Sequence, residues 1–130
     1  MKGFIENYTP HPVHIYEIDN NGHFVGPLIT LEPNKNGSMW LNEDRVDWSR
    51  KVPVHGCSVT VIKPATYVGV ENMPQMRDLN VIVSALVADY LVKHHADHFN
   101  HIYTPDTGPG GVVRDERGQI KGTTRLIQYK

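Results

Sequence analysis

Val81-Ile82-Val83-Ser84-Ala85-Leu86-Val87-Ala88-Asp89-Tyr90-Leu91 is the stretch from which the rest of the chain can be placed. Three consecutive β-branched apolar residues read as a buried strand. Ser84 then stands where a helix needs an N-cap, because its hydroxyl can accept one of the amide hydrogens that a first helical turn leaves without a partner. From Ala85 to His98 the spacing is helical, with Leu86, Tyr90 and Leu91 on neighbouring turns. This is the one main helix that the pattern predicts.

Upstream, Val13 to Ile18 alternates apolar and polar residues with one slip, and Asn20-Asn21-Gly22 is a hairpin signal, so a second strand is expected from His23 to Leu31. Pro33-Asn34-Lys35-Asn36-Gly37 marks a loop. Trp40, Val46 and Trp48 fit either a strand or a short helix. Cys57 to Lys63 alternates with period two and predicts a strand that Ala65 to Val70 extends or pairs with. Downstream of the helix, Tyr103 to Gly111 holds two prolines and three glycines and cannot continue it. Val112 to Tyr129 then forms a hairpin with its turn at Arg117-Gly118. The expected fold class is α+β: one β-rich domain over residues 1–130, without internal repeats, with one main helix after a buried strand and a C-terminal hairpin.

Composition bounds what such a domain does. A chain of 130 residues hides roughly 65–70% of its unfolded surface on folding, and 39% hydrophobic against 21% charged residues is enough for a packed core. No apolar run approaches the ~18 residues that span a bilayer, and the N-terminus lacks a signal-peptide pattern, so a cytoplasmic protein without a membrane partner is expected. The lone Cys57 excludes an internal disulfide and is expected to be a buried, inert thiol. A net charge of −1 gives no global pull toward duplex nucleic acid or acidic membranes. Any anion site must be local.

Three groups of residues bear on chemistry. His94, His98 and His101 share one helix face if the helix runs that far and could then hold zinc, against the alternative of a solvated helix end. Asp106-Thr107-Gly108 has the short signature of aspartic proteases, but it lacks the apolar strand that should precede it, and a turn cap or a ligand contact is the better reading. Gly108-Pro109-Gly110-Gly111 has neither the lysine of a P-loop nor dinucleotide-fingerprint spacing. It is followed, however, by five basic residues (Arg114, Arg117, Lys121, Arg125, Lys130) against two acids (Asp115, Glu116), a local net charge of +3 that suits phosphates as well as a solvated hairpin. No nucleophile elbow or paired carboxylates are present in sequence, so no catalytic residue, cofactor or metal is expected, and binding is favoured over turnover.

Asn7-Tyr8-Thr9-Pro10-His11-Pro12, Ile82-Val83-Ser84-Ala85-Leu86-Val87-Ala88 and Pro105-Asp106-Thr107-Gly108-Pro109 with Val113-Arg114-Asp115-Glu116-Arg117-Gly118 together give the chain a further likeness. In these blocks it resembles small phage-encoded proteins of the Thoeris anti-defence type; Trp40 to Asp78 carries none of the resemblance. The resemblance implies a sponge that binds cyclic ADP-ribose isomers made by bacterial TIR-domain enzymes without cleaving them, and in some members cyclic oligonucleotides. It also implies a mixed, β-rich α+β fold, a dimer or hexamer, and residence in the cytoplasm of an infected host. A ligand of that kind needs cations and amides for phosphates, a flat surface for adenine, and polar groups for ribose. Arg114 is the candidate for the phosphates, with the Gly108–Gly111 loop approaching them. Asp106, Thr107 and Asn100 are candidates for hydroxyls and base edges. Tyr90, Phe99 and Tyr103 are either stacking surfaces or core, and His11 either contacts the ligand or completes the Thr9–Pro12 turn. The alternatives are a phosphodiesterase or hydrolase acting on a signalling nucleotide, or a phage protein that binds another protein.

Overall fold

The computed structural model of the protein describes residues 4–44 and 48–130; residues 1–3 and 45–47, and with them the Val46 reading, lie outside it. In chain order the elements are β1 (Ile5–Asn7), β2 (Val13–Ile18), β3 (Phe24–Leu31), β4 (Trp40–Asp44), β5 (Ser49–Val54), β6 (Cys57–Ile62), β7 (Thr66–Glu71), β8 (Leu79–Ile82), α1 (Ala85–His94), β9 (Phe99–Pro105), β10 (Val112–Arg114), β11 (Ile120–Thr123) and β12 (Leu126–Gln128). The result is a β-rich α+β fold with one main helix, as the pattern predicts. No described helix is long and apolar enough to cross a membrane.

The β8–α1–β9 unit organises the molecule. Parallel strands cannot be joined by a tight turn, and α1 supplies the crossover. β8 pairs with β9 through Val81↔Ile102 and Ile82↔Tyr103, β1 adds in parallel on the far side of β8, and β12 closes the other edge antiparallel to β9. Val81, Val83 and Ile102 are fully buried and pack with Val87, Ala88 and Leu91 of the helix, with Phe99, Tyr8 and Met39 completing the cluster. The apolar face of α1 therefore runs through Val87, Ala88 and Leu91. Leu86, which the periodicity puts with Tyr90 and Leu91, is 61% exposed.

The helix stops at His94, before the expected His98. The His95 amide closes the last turn on the Leu91 carbonyl, and a single 3-10 turn at Ala96–His98 leads into β9. His101 is thus a strand residue whose Nδ1 meets the Lys130 carbonyl, while His98 Nε2 meets the Pro74 carbonyl. The three histidines share no face. Among the described residues no group of His, Cys, Asp and Glu is placed to hold a metal ion.

The second sheet has the order β10-β11-β2-β3. It contains the expected β2–β3 hairpin and the expected C-terminal hairpin, turned at Asp115–Gly118, where Asp115 Oδ1 accepts the Arg117 and Gln119 amides; the hairpin ends at Thr123 and not at the expected Tyr129, because Leu126–Gln128 leaves it to pair with β9. Two strand pairs lie apart from these sheets. β7 pairs with β4 and not with β6, a correction to the expected 65–70 pairing. β6 pairs instead with β5 across His55-Gly56, both at positive φ, the geometry a two-residue hairpin turn requires. Among the described residues nothing covers either face of that ribbon, and Cys57 at its tip is exposed, contrary to the buried thiol expected.

The helix face can be tested directly. Leu91→Ala is expected to cost about 3 kcal/mol in urea unfolding, and Leu86→Ala no more than ~0.5 kcal/mol; equal costs would contradict this packing.

Candidate functional site

The chain changes sheet at three short crossings, and a polar side chain closes each. At the first, the buried Asn7 amide donates to the His11 and Leu31 carbonyls at 2.8 and 2.9 Å and accepts the Thr9 amide and hydroxyl at 2.9 and 2.6 Å. This saturates the side chain and fixes the Thr9–Pro12 turn. At the second, Asp106 accepts the Gly108 amide on Oδ1 and Arg125 Nε on Oδ2 at 2.6 Å. The Arg125 guanidinium, helped by the Gly108 amide, holds the Asp106 carboxyl below the usual carboxylate range. At the third, the buried Thr123 hydroxyl has the carbonyls of Asp106, Arg125 and Gly111 within 2.7, 2.8 and 3.2 Å.

Beside these crossings lies a cavity of about 680 Å³, within the range that holds a nucleotide-sized ligand. Thr9, His11 and Pro12 reach it from the first turn, Ser84 and Ala85 from the start of α1, Thr104, Pro105 and Thr107 from the end of β9, and Ile120, Lys121 and Gly122 from β11. It therefore sits at the C-terminal ends of the parallel strands β8 and β9, where open sheets with crossover helices commonly leave a binding crevice. No described residue on its wall carries a carboxylate, whereas Lys121, His11 and His14 all do carry nitrogen. Pro12, Val13, Pro105 and Ile120 supply apolar surface.

Of the expected ligand residues, His11 and Thr107 stand on this wall. The others do not. Arg114 donates to the Gly118 carbonyl at 2.6 Å and serves its own hairpin turn. Asp106 is engaged by Arg125 and Gly108, which agrees with its reading as a turn cap. Asn100 is bonded to Asn80, four residues and about 13 Å along β9 from Thr104. Phe99 is in the core, Tyr103 lies by His101 with ring centres 5.8 Å apart, and Tyr90 stacks on His94 at 4.3 Å. None of these three aromatics lines the cavity, whose apolar surface comes from prolines and aliphatic side chains. Gly108 gives its amide to Asp106 and its carbonyl to the Gly111 and Val112 amides. The glycines after it make room for that ion pair: a Cβ at Gly111 would come within 2.7 Å of Asp106 Oδ2, and one at Gly110 would collide with the Arg125 guanidinium.

Lys121, Ser84 and Thr104 are among the wall residues that the sequence does not single out as ligand contacts. Counting charge finds five cations after Gly111 but cannot say which are already engaged. Arg114 is bound to Gly118, Arg125 to Asp106, and Lys130 to the Ala96 and Phe99 carbonyls. Lys121 has no ion pair or hydrogen bond among the described residues; its ammonium lies over the Tyr16 ring at 5.3 Å, and the residue is part of the cavity wall. Comparison with protein-family models, with curated proteins and with solved structures found no match.

The Asp106–Arg125 pair sets a pH dependence. A carboxyl whose folded pKa is lowered stabilises the fold above its unfolded value, ~4, and that contribution disappears as pH falls through the folded pKa. Asp106→Asn, which keeps the acceptor for Gly108, is expected to melt below the parent protein at pH 7, and the gap should close below about pH 4. A gap that persists in acid would show that the charge is not what matters.

Proposed function

We propose that the chain binds and holds a small phosphorylated nucleotide of the cyclic ADP-ribose kind in the cavity at the start of α1, without turning it over. The observation that carries this reading is the chemistry of the wall. One ammonium, two imidazoles, hydroxyls and a helix N-terminus face a space free of carboxylates among the described residues. Such a lining favours an anion, since an anion entering it meets donors and no fixed negative charge. The proline and isoleucine surfaces give a base or sugar face something apolar to lie on. Parts of the blocks that carry the resemblance, Thr9–Pro12, Ser84–Ala85 and Pro105 with Thr107, meet at this one wall, while Val113–Gly118 lies away from it. A ligand of that class would also suit a protein that silences a bacterial immune signal in the infected cytoplasm.

The resemblance implies a homo-oligomer as well. Phe24, Val25, Leu28 and Ile29 of β3 are exposed in the single chain, apolar area on an edge strand that a second copy would cover. Light scattering is expected to report a mass of two or more chains; a single-chain mass at micromolar concentration would remove this part of the proposal.

The binding reading is tested by melting the protein against a panel of cyclic ADP-ribose isomers and cyclic oligonucleotides, then chromatographing what heat releases. A ligand at a hundredfold excess over its Kd adds ~2.7 kcal/mol, about 10 °C for a domain of this size. Intact ligand after heating identifies holding, and an altered product identifies an enzyme. Lys121→Ala should weaken retention about tenfold, and Arg114→Ala much less. No shift across the panel would overturn the reading.

A further inference from the structure

Thr104 is only 4% exposed, yet its hydroxyl has no hydrogen-bond partner among the described residues. Because no fully enclosed side-chain oxygen or nitrogen there is left unbonded, the small area that Thr104 does expose includes this oxygen, and the residue lines the cavity. Its place follows from the sheet. Side chains alternate along a strand, so Thr104 lies on the face of Ile102, the face that packs against α1. The Val83 amide bonds the Tyr103 carbonyl at 3.0 Å, which continues the β8–β9 register and brings Thr104 level with the entry to the helix.

That helix begins with open donors. Ser84 Oγ accepts the Val87 amide, and the Ser84 carbonyl accepts the Ala88 amide. The two preceding amides, of Ala85 and Leu86, have no protein partner among the described residues, as the first turn of any α-helix requires. Ser84 and Ala85 are exposed at the cavity wall. A hydroxyl that bonds nothing in the chain and reaches only the cavity adds nothing to the fold that valine, of the same shape, would not supply. Threonine at this position is therefore better explained by something outside the chain that it bonds.

We propose that the start of α1 and the Thr104 hydroxyl form an oxyanion subsite that takes a phosphoryl group, with Lys121 on the facing β11 wall as its counter-charge. The reading of the cavity as a nucleotide site supplies only the identity of the whole ligand; the subsite stands on its own donors. It takes the phosphate end of the ligand and leaves the apolar Pro12, Pro105 and Ile120 surfaces to the remainder.

The test uses inorganic pyrophosphate as the probe, with potassium chloride at matched ionic strength as the control, and follows melting of the parent protein, Thr104→Val and Thr104→Ser. The parent should be stabilised saturably by pyrophosphate. Thr104→Val should melt at or above the parent without the anion and bind it about tenfold more weakly, and Thr104→Ser, which keeps the hydroxyl, should bind within about twofold of the parent. A Thr104→Val protein that melts well below the parent, or that binds pyrophosphate equally well, would overturn the assignment. So would a parent indifferent to pyrophosphate, even if a nucleotide from the panel stabilises it, in which case the cavity reading survives without this subsite. Pyrophosphate binding with no response to any nucleotide would leave the subsite standing and sink the wider reading.

Discussion

Where the chain passes from one four-stranded sheet to the other, backbone groups that leave their ladders have to find partners away from water, and the Thr123 hydroxyl meets much of that demand. It sits 1% exposed among the carbonyls of the two crossings that flank it and accepts the Arg125 amide in turn. An apolar residue there would take the donor from the Asp106 carbonyl, while the Arg125 and Gly111 carbonyls would keep the Asp106 and Thr124 amides. Asp106 and Arg125 tie the same two crossings from outside, and the glycines at 110 and 111 are bare so that the tie can form. Asn7 does the corresponding work at the first crossing with all its amide capacity used.

The cavity depends on those polar knots. Its wall is drawn from the ends of strands in both sheets and from the turns between them, so apart from Thr123, which lines it, its shape is set by side chains that do not themselves face it. Asp106 is the clearest case. It sits between two wall residues, Pro105 and Thr107, and its role is to hold the loop on which Thr107 is presented.

Local features were legible in the sequence and long-range choices were not. The strand–serine–helix run, the β2–β3 hairpin and the C-terminal hairpin each rest on signals a few residues apart, and each is present. The partner of β7 depends on strands far away in sequence, and the His55-Gly56 turn that takes β6 away from it is an unusual pair for positive φ. The helix end was misplaced because histidines continue a polar face as well as they end one. At the site, the turns that form the wall could be named, since Pro12, Ser84 and Thr107 fall in stretches with turn or capping chemistry. The residue roles could not. Whether Arg114 or Lys121 is available depends on the Gly118 carbonyl, and whether Phe99 can stack depends on the core, which are facts of packing alone.

Among the described residues the β5–β6 ribbon pairs only with itself and buries neither face, and two strands without a third or a covering helix are marginal in water. Its opening is therefore uncoupled from that of the β8–α1–β9 core, so its amide protons should exchange through a local event while those of Val81 to Val83 wait for global unfolding. The molecule is then cooperative over its sheets but not over its whole length. The ribbon is correspondingly the segment whose length and composition can drift without being felt at the cavity.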